Sequence, residues 1–133
     1  EHMSRKQIRE QIFKILFCID FHNREEIEEQ IQLSMEELGE EKEKDLNYIR
    51  EKIHSIVEHI DEIDNLINEN AEKWKTTRIA KAELTILRLA VYEMKYEDDI
   101  PVSVAINEAV ELAKVYGADN GAGFVNGVLA KLV

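Results

Sequence analysis

The stretch IPVSVAINEAVELAKVYGADNGAGFVNGVL, Ile100–Leu129, decides how this chain folds. Pro101 marks a turn, Ser103 suits the cap of a helix over Val104–Tyr116, and Gly117 ends it. A second helix follows from about Ala122 to Leu132. Gly127 lies inside the apolar run FVNGVL, where an interior glycine costs about 1 kcal/mol against alanine. Close approach of another helix or of a ligand is the usual reason for such a residue. Asn107, Glu108 and Asn126 are expected to tie helices together, because buried polar groups must be hydrogen-bonded.

Working outward, helical spacing appears almost everywhere, and no segment alternates with period two for long enough to make a strand. Ser4 and Gln7 can form a capping box for a first helix to about Phe21, with Ile8, Ile12, Ile15, Leu16 and Ile19 as its apolar stripe. A second helix is predicted over Arg24–Leu38, buried through Ile27, Ile31, Met35 and Leu38, with Gly39 as its stop. The third, about Lys42–His59, buries Leu46, Ile49, Ile53, Ile56, Val57 and Ile60. Asp61 can cap a short fourth helix carrying Ile63, Leu66 and Ile67. The pattern breaks over 68–75, ending at Trp74. Thr76 or Thr77 then starts a stretch carrying Ile79, Leu84, Leu87, Val91 and Met94. The periodicity implies an all-α domain, and it fits a simple bundle and two packed subdomains equally well.

A chain of 133 residues with 44% apolar content can bury a substantial single core. No apolar run approaches the roughly 18–20 residues of a membrane span. Glu1-His2-Met3 lacks the apolar core of a signal peptide. Glu1 and His2 read as a remnant ahead of the native Met3, which leaves 3–133 as the expected domain. Cys18 is the only cysteine, so no internal disulfide is available; a reducing cytoplasm is expected, with Cys18 packed in the core.

The net charge of −11 is unevenly spread. Residues 20–72 carry eighteen acids against five bases, a net −13. Residues 3–19 carry Arg5, Lys6, Arg9 and Lys14 against Glu10, a net +3, and 73–95 carry six bases against Glu83 and Glu93, a net +4. Phosphate attraction depends on the field within about one Debye length, roughly 8–10 Å, so two basic segments on an acidic body can still hold RNA. Arg5, Lys6 and Arg9 fall within an arc of about 100° at the start of the first helix, beside Phe13 and Phe17, whose rings could stack a base. Cations at a helix N-terminus oppose the macrodipole by roughly 0.3–1 kcal/mol each, so such a cluster is either a solvated helix end or a binding group. Arg78 and Arg88 are about 280° apart on an ideal helix. On spacing alone, surface cations or ion-pair partners for Glu83 and Glu93 are at least as good a reading.

Three of these segments, SRKQIREQIFKILF, ILRLAVYEM and the Ile100–Leu129 block, resemble the NusB family of bacterial transcription antitermination factors, and the likeness extends from Ser4 to Leu132. The resemblance implies one compact domain of about seven helices in two packed subdomains. It also implies an RNA-binding adaptor that engages the boxA element of nascent ribosomal-RNA transcripts together with the ribosomal protein NusE. That assembly helps RNA polymerase read through terminators. Carried over residue by residue, it implies RNA contacts at Arg5, Lys6 and Arg9, beside which Phe17 is the stacking candidate, further RNA candidates at Arg78, Arg88 and Phe124, and a NusE contact at Glu83. Lys6 stands where relatives often have arginine; it keeps the charge without the bidentate fork. Asn120-Gly121-Ala122-Gly123 replaces a serine-containing approach, and its two glycines are expected to loosen that loop. The resemblance also allows a homodimer.

No catalytic constellation is present in the sequence. His22, His54 and His59 lack zinc spacing with cysteine, and His54 and Glu58 are i,i+4 surface neighbours. Neither a phosphate-cradling glycine loop nor a nucleophile elbow occurs. The expectation is no enzyme, no metal and no cofactor. Two alternatives remain: a helical protein-interaction module without RNA, and a stand-alone relative of the RNA-binding domain of ribosomal-RNA cytosine methyltransferases.

Overall fold

The computed structural model describes residues 3–71 and 75–133, so Trp74 lies outside the described residues. These form seven helices and no strand: α1 Arg5–Ile19, α2 Arg24–Leu38, α3 Glu43–Glu58, α4 Ile60–Asn70, α5 Lys81–Tyr96, α6 Val102–Tyr116 and α7 Gly121–Ala130. They fall into two compact units, Glu1–Val57 and Glu58–Val133. No helix among the described residues is long and apolar enough to cross a membrane.

In unit 1, α1 starts where Ser4 Oγ accepts from the Gln7 N–H at 3.1 Å and Gln7 Oε1 accepts from the Ser4 N–H at 2.8 Å. Such a cap contributes about 0.5–2 kcal/mol. Helix α1 stops at Ile19, two residues before the expected end, and tighter turn bonds from Phe21 N–H to Cys18 O and from His22 N–H to Ile19 O close it. Helix α2 has the expected bounds. Glu26 Oε1 accepts from the Asn23 N–H at 3.3 Å, and Gly39 adopts φ +66°, a left-handed stop that side chains disfavour. The core is Ile12, Phe13, Ile15, Leu16 and Ile19 of α1, Ile31 and Met35 of α2, and Ile49, Ile53 and Ile56 of α3. Each fully buried aliphatic side chain contributes about 1.5–3 kcal/mol. Cys18 is exposed rather than packed, because it sits about 200° around the helix from Leu16. His54 does not act as a partner of Glu58 alone; its Nδ1 lies 2.9 Å from the Arg50 carbonyl oxygen and its Nε2 lies 2.8 Å from Glu28 Oε2, which ties α3 to α2.

In unit 2, α5 is buried on nearly every side, from Glu83 to Glu93 apart from Arg88, and contacts α4, α6 and α7. A helix apolar all round belongs at the centre. Ala105, Ala109 and Ala113 give α6 a small buried face, while Val125, Val128 and Leu129 bury α7.

Three expected caps are displaced. Asp61 is not a cap: α4 begins at Ile60, and the His59 carbonyl accepts from the Ile63 N–H. Neither Thr76 nor Thr77 starts α5. Asn68 Oδ1 accepts from the Thr76 N–H at 2.8 Å, Arg78 N–H bonds to Lys75 O, and the chain turns before the helix begins at Lys81. Ser103 lies inside α6, since Pro101, with φ −59°, takes the cap position and its carbonyl accepts from both Val104 and Ala105.

Candidate nucleic-acid interface

Unit 1 presents a cationic helix start. Arg5 and Lys6 are exposed and Arg9 is half-buried, and no acidic residue occupies the first turn of α1. The Ser4–Gln7 box satisfies two backbone donors there, and just ahead of the helix the Met3 N–H donates to Oδ2 of the buried Asp45 at 3.4 Å. The exposed Arg5 and Lys6 and the positive end of the macrodipole add to one field, which the Asp45 carboxylate partly offsets. Phe13 is buried, and the half-buried Phe17 lies 6.0 Å from it, ring centre to ring centre. Sequence spacing missed one further ring. Phe21, just beyond the helix, meets Phe17 edge to face at 5.2 Å and is 63% exposed. The i,i+4,i+8 repeat Phe13-Phe17-Phe21 was the available signal.

Unit 2 separates its candidates. Arg78 is exposed in the turn before α5. Arg88 is not a surface cation. Its Nε and Nη2 donate to Asp64 Oδ1 and Oδ2, both at 2.8 Å, with side chains 14% and 22% exposed. That fork ties α5 to α4.

Glu83 is 5% exposed, so the structure gives it an internal role. Its Oε2 accepts from the Ala118 N–H at 2.8 Å and thereby holds the turn between α6 and α7. A Cβ at Gly121 would lie 2.5 Å from that oxygen, and one at Gly117 would lie 2.9 Å from it. The glycine pair expected to loosen this loop therefore behaves differently. Gly121 lets a buried carboxylate close onto the turn, and Gly123 faces open space. Phe124, half-buried, sits one turn into α7 behind this anchor. A Cβ at Gly127 would meet nothing within 4 Å, so no neighbour within the described chain requires its missing side chain. Asn107 and Asn126 are exposed, which removes the desolvation argument for tying helices through them.

No three histidine, cysteine or acidic side chains among the described residues group as metal ligands. The NusB family model matches residues 6–133. This chain belongs to the NusB family. The transcription antitermination protein NusB of Agathobacter rectalis is 55% identical over 129 residues, covering 97% of this chain and 98% of that protein. The structure of T. maritima NusB superposes with a TM-score of 0.87 at 36% identity, over 99% of this chain and 92% of that one. A structure of the antitermination factors NusB and NusE in complex with double-stranded RNA gives a TM-score of 0.82 at 27% identity, over 96% of this chain and 94% of the matched chain.

In unit 2 of this NusB-family chain the titration of Tyr96 is displaced. Tyr96 Oη donates to Glu62 Oε2 at 2.6 Å, and that bond, followed by burial and the charge of Glu62, holds the phenol above its ordinary 10.0. The folded state keeps this proton longer than the unfolded chain, so the contribution to stability is complete below pH 10 and is lost as pH rises through the folded value. Ultraviolet titration should find a late-ionising phenol, and Glu62→Gln should bring it down. A Glu62→Gln titration superposing on the wild type would break this assignment.

Proposed function

We propose that this chain is a non-enzymatic RNA-binding adaptor of transcription antitermination, which engages boxA RNA of nascent ribosomal-RNA transcripts in the cytoplasm together with NusE. The observation carrying the proposal is the exposed cationic start of α1, ordered by its capping box and free of first-turn carboxylates, in a chain of NusB type. The solved complex of NusB and NusE with double-stranded RNA supports both partners. Arg5, Lys6 and Arg9 supply phosphate contacts, and Phe17 offers a ring to an unpaired base. Arg78 is a secondary phosphate contact. Glu83 acts as a positioning residue for the α6–α7 turn, and through it for Phe124 and the NusE-facing surface. Arg88 drops out, because its fork is already occupied by Asp64.

The test is titration of a boxA oligonucleotide at several salt concentrations. Arg5→Ala with Arg9→Ala should weaken binding and flatten the log–log salt dependence by about 0.7 per lost contact to a single strand. A folded double variant with an unchanged slope would remove α1 from the interface.

A further inference from the structure

We propose that the RNA-binding face of α1 continues past Phe17 to a second aromatic step at Phe21, with Lys14 on the strip that leads to it, and that this step takes one additional unpaired nucleotide. The inference rests on the reading of α1 as an RNA-binding helix and extends it to residues which that reading does not use. On an ideal helix Lys6, Lys14 and Phe17 lie within about 80° of one another, so a strip of exposed Lys6 and Lys14 and half-buried Phe17 runs along the helix from its cationic start. Phe21 prolongs the strip through ring contact rather than helical register. Helix α1 ends at Ile19, and the turn bond from the Phe21 N–H to the Cys18 carbonyl swings the ring back to within 5.2 Å of Phe17.

The pair is edge to face, and the 63% exposure of Phe21 leaves much of its ring open to solvent. An open ring next to a phosphate-attracting strip is what a single strand needs to continue its stack. Glu10 lies between Lys6 and Lys14, one turn from each, and lowers the field at mid-helix. The extension should therefore depend on stacking more than on charge. It also favours an unpaired strand, whose bases can turn outward, over a duplex whose bases are stacked inside.

The experiment compares a boxA core oligonucleotide with versions carrying one extra unpaired nucleotide at the 5′ or 3′ end, each extension also made abasic. Wild-type protein should gain affinity from one extension and lose that gain when the base is removed. Phe21→Ala should abolish the gain, roughly 5-fold or more, while binding the core as wild type does, and Phe21→Trp should retain it. Lys14→Ala should reduce the salt slope for the extended oligonucleotide alone, by about 0.7. If Phe21→Ala leaves the gain intact, or weakens core and extended RNA equally, the second step does not exist. That result leaves the parent reading standing as long as Arg5→Ala with Arg9→Ala still weakens core binding; failure of both sets of variants removes the whole helix.

Discussion

Gly121→Ala is expected to destabilise unit 2 by about 1–3 kcal/mol, although glycine-to-alanine changes in a helix ordinarily stabilise it by up to about 1 kcal/mol. The sign is the informative part. Gly39 has the only positive φ among the described residues, so the backbone at 121 would accept a side chain. Space is what forbids it, because the added Cβ would stand 2.5 Å from Glu83 Oε2, 3.3 Å from its Cδ and 3.4 Å from its Cγ. That carboxylate cannot withdraw without releasing the Ala118 N–H. Urea unfolding of Gly121→Ala, Glu83→Ala and the double variant gives the check. With Glu83 shortened, the alanine at 121 should cost little, a coupling of about 0.5–3 kcal/mol. Equal cost in both backgrounds would mean that Glu83 is not the obstacle.

Asp64→Ala is expected to cost about 2–3 kcal/mol, somewhat below the roughly 3–5 kcal/mol of a fully buried pair because both side chains keep some contact with water. The loss arises because Arg88 forfeits two charge-assisted bonds at 2.8 Å in a place that is only 14% exposed. Arg88→Met keeps the aliphatic stem and removes the stranded charge, so it should cost less. In the double variant the two costs should fall well short of adding. The same substitution separates structure from recognition: Arg88→Met should leave the salt slope of RNA binding unchanged while lowering the unfolding midpoint. A reduced slope would return Arg88 to the RNA surface.

What could be read from the sequence was local. The Ser4–Gln7 box, the bounds of α2 and the stop at Gly39 each depend on residues within one turn of each other, and each was found. So were the stripes Ile12-Ile15-Leu16-Ile19 and Ile49-Ile53-Ile56, since burial follows the helical period. The pairings that escaped it join residues distant in sequence. Arg88 finds Asp64 twenty-four positions away, and Glu83 finds Ala118 thirty-five away. Neither periodicity nor composition carries such pairings, and an acidic residue on a central helix gives no sign of which turn it will hold. The start of α5 failed for a similar reason: Asn68, eight residues earlier, captures the Thr76 N–H that a helix cap would have left available. At Pro101 local chemistry was present but outranked, because a fixed φ and a carbonyl accepting two donors outweigh the hydroxyl of Ser103.

The neighbouring helices of unit 1 have opposite electrical character. Helix α1 begins with Arg5, Lys6 and Arg9, whereas α2, in contact with it, carries six glutamates. A polyanion drifting toward this unit is drawn to one end of one helix and pushed away from its neighbour, so most collisions in the wrong orientation separate before contact. On the proposed function, the pairing works as a compass: it spends little on gripping a transcript and much on choosing the pose in which the first encounter happens. Added electrolyte blurs attraction and repulsion together within a Debye length, so raising it should erode the choice of pose as well as the grip.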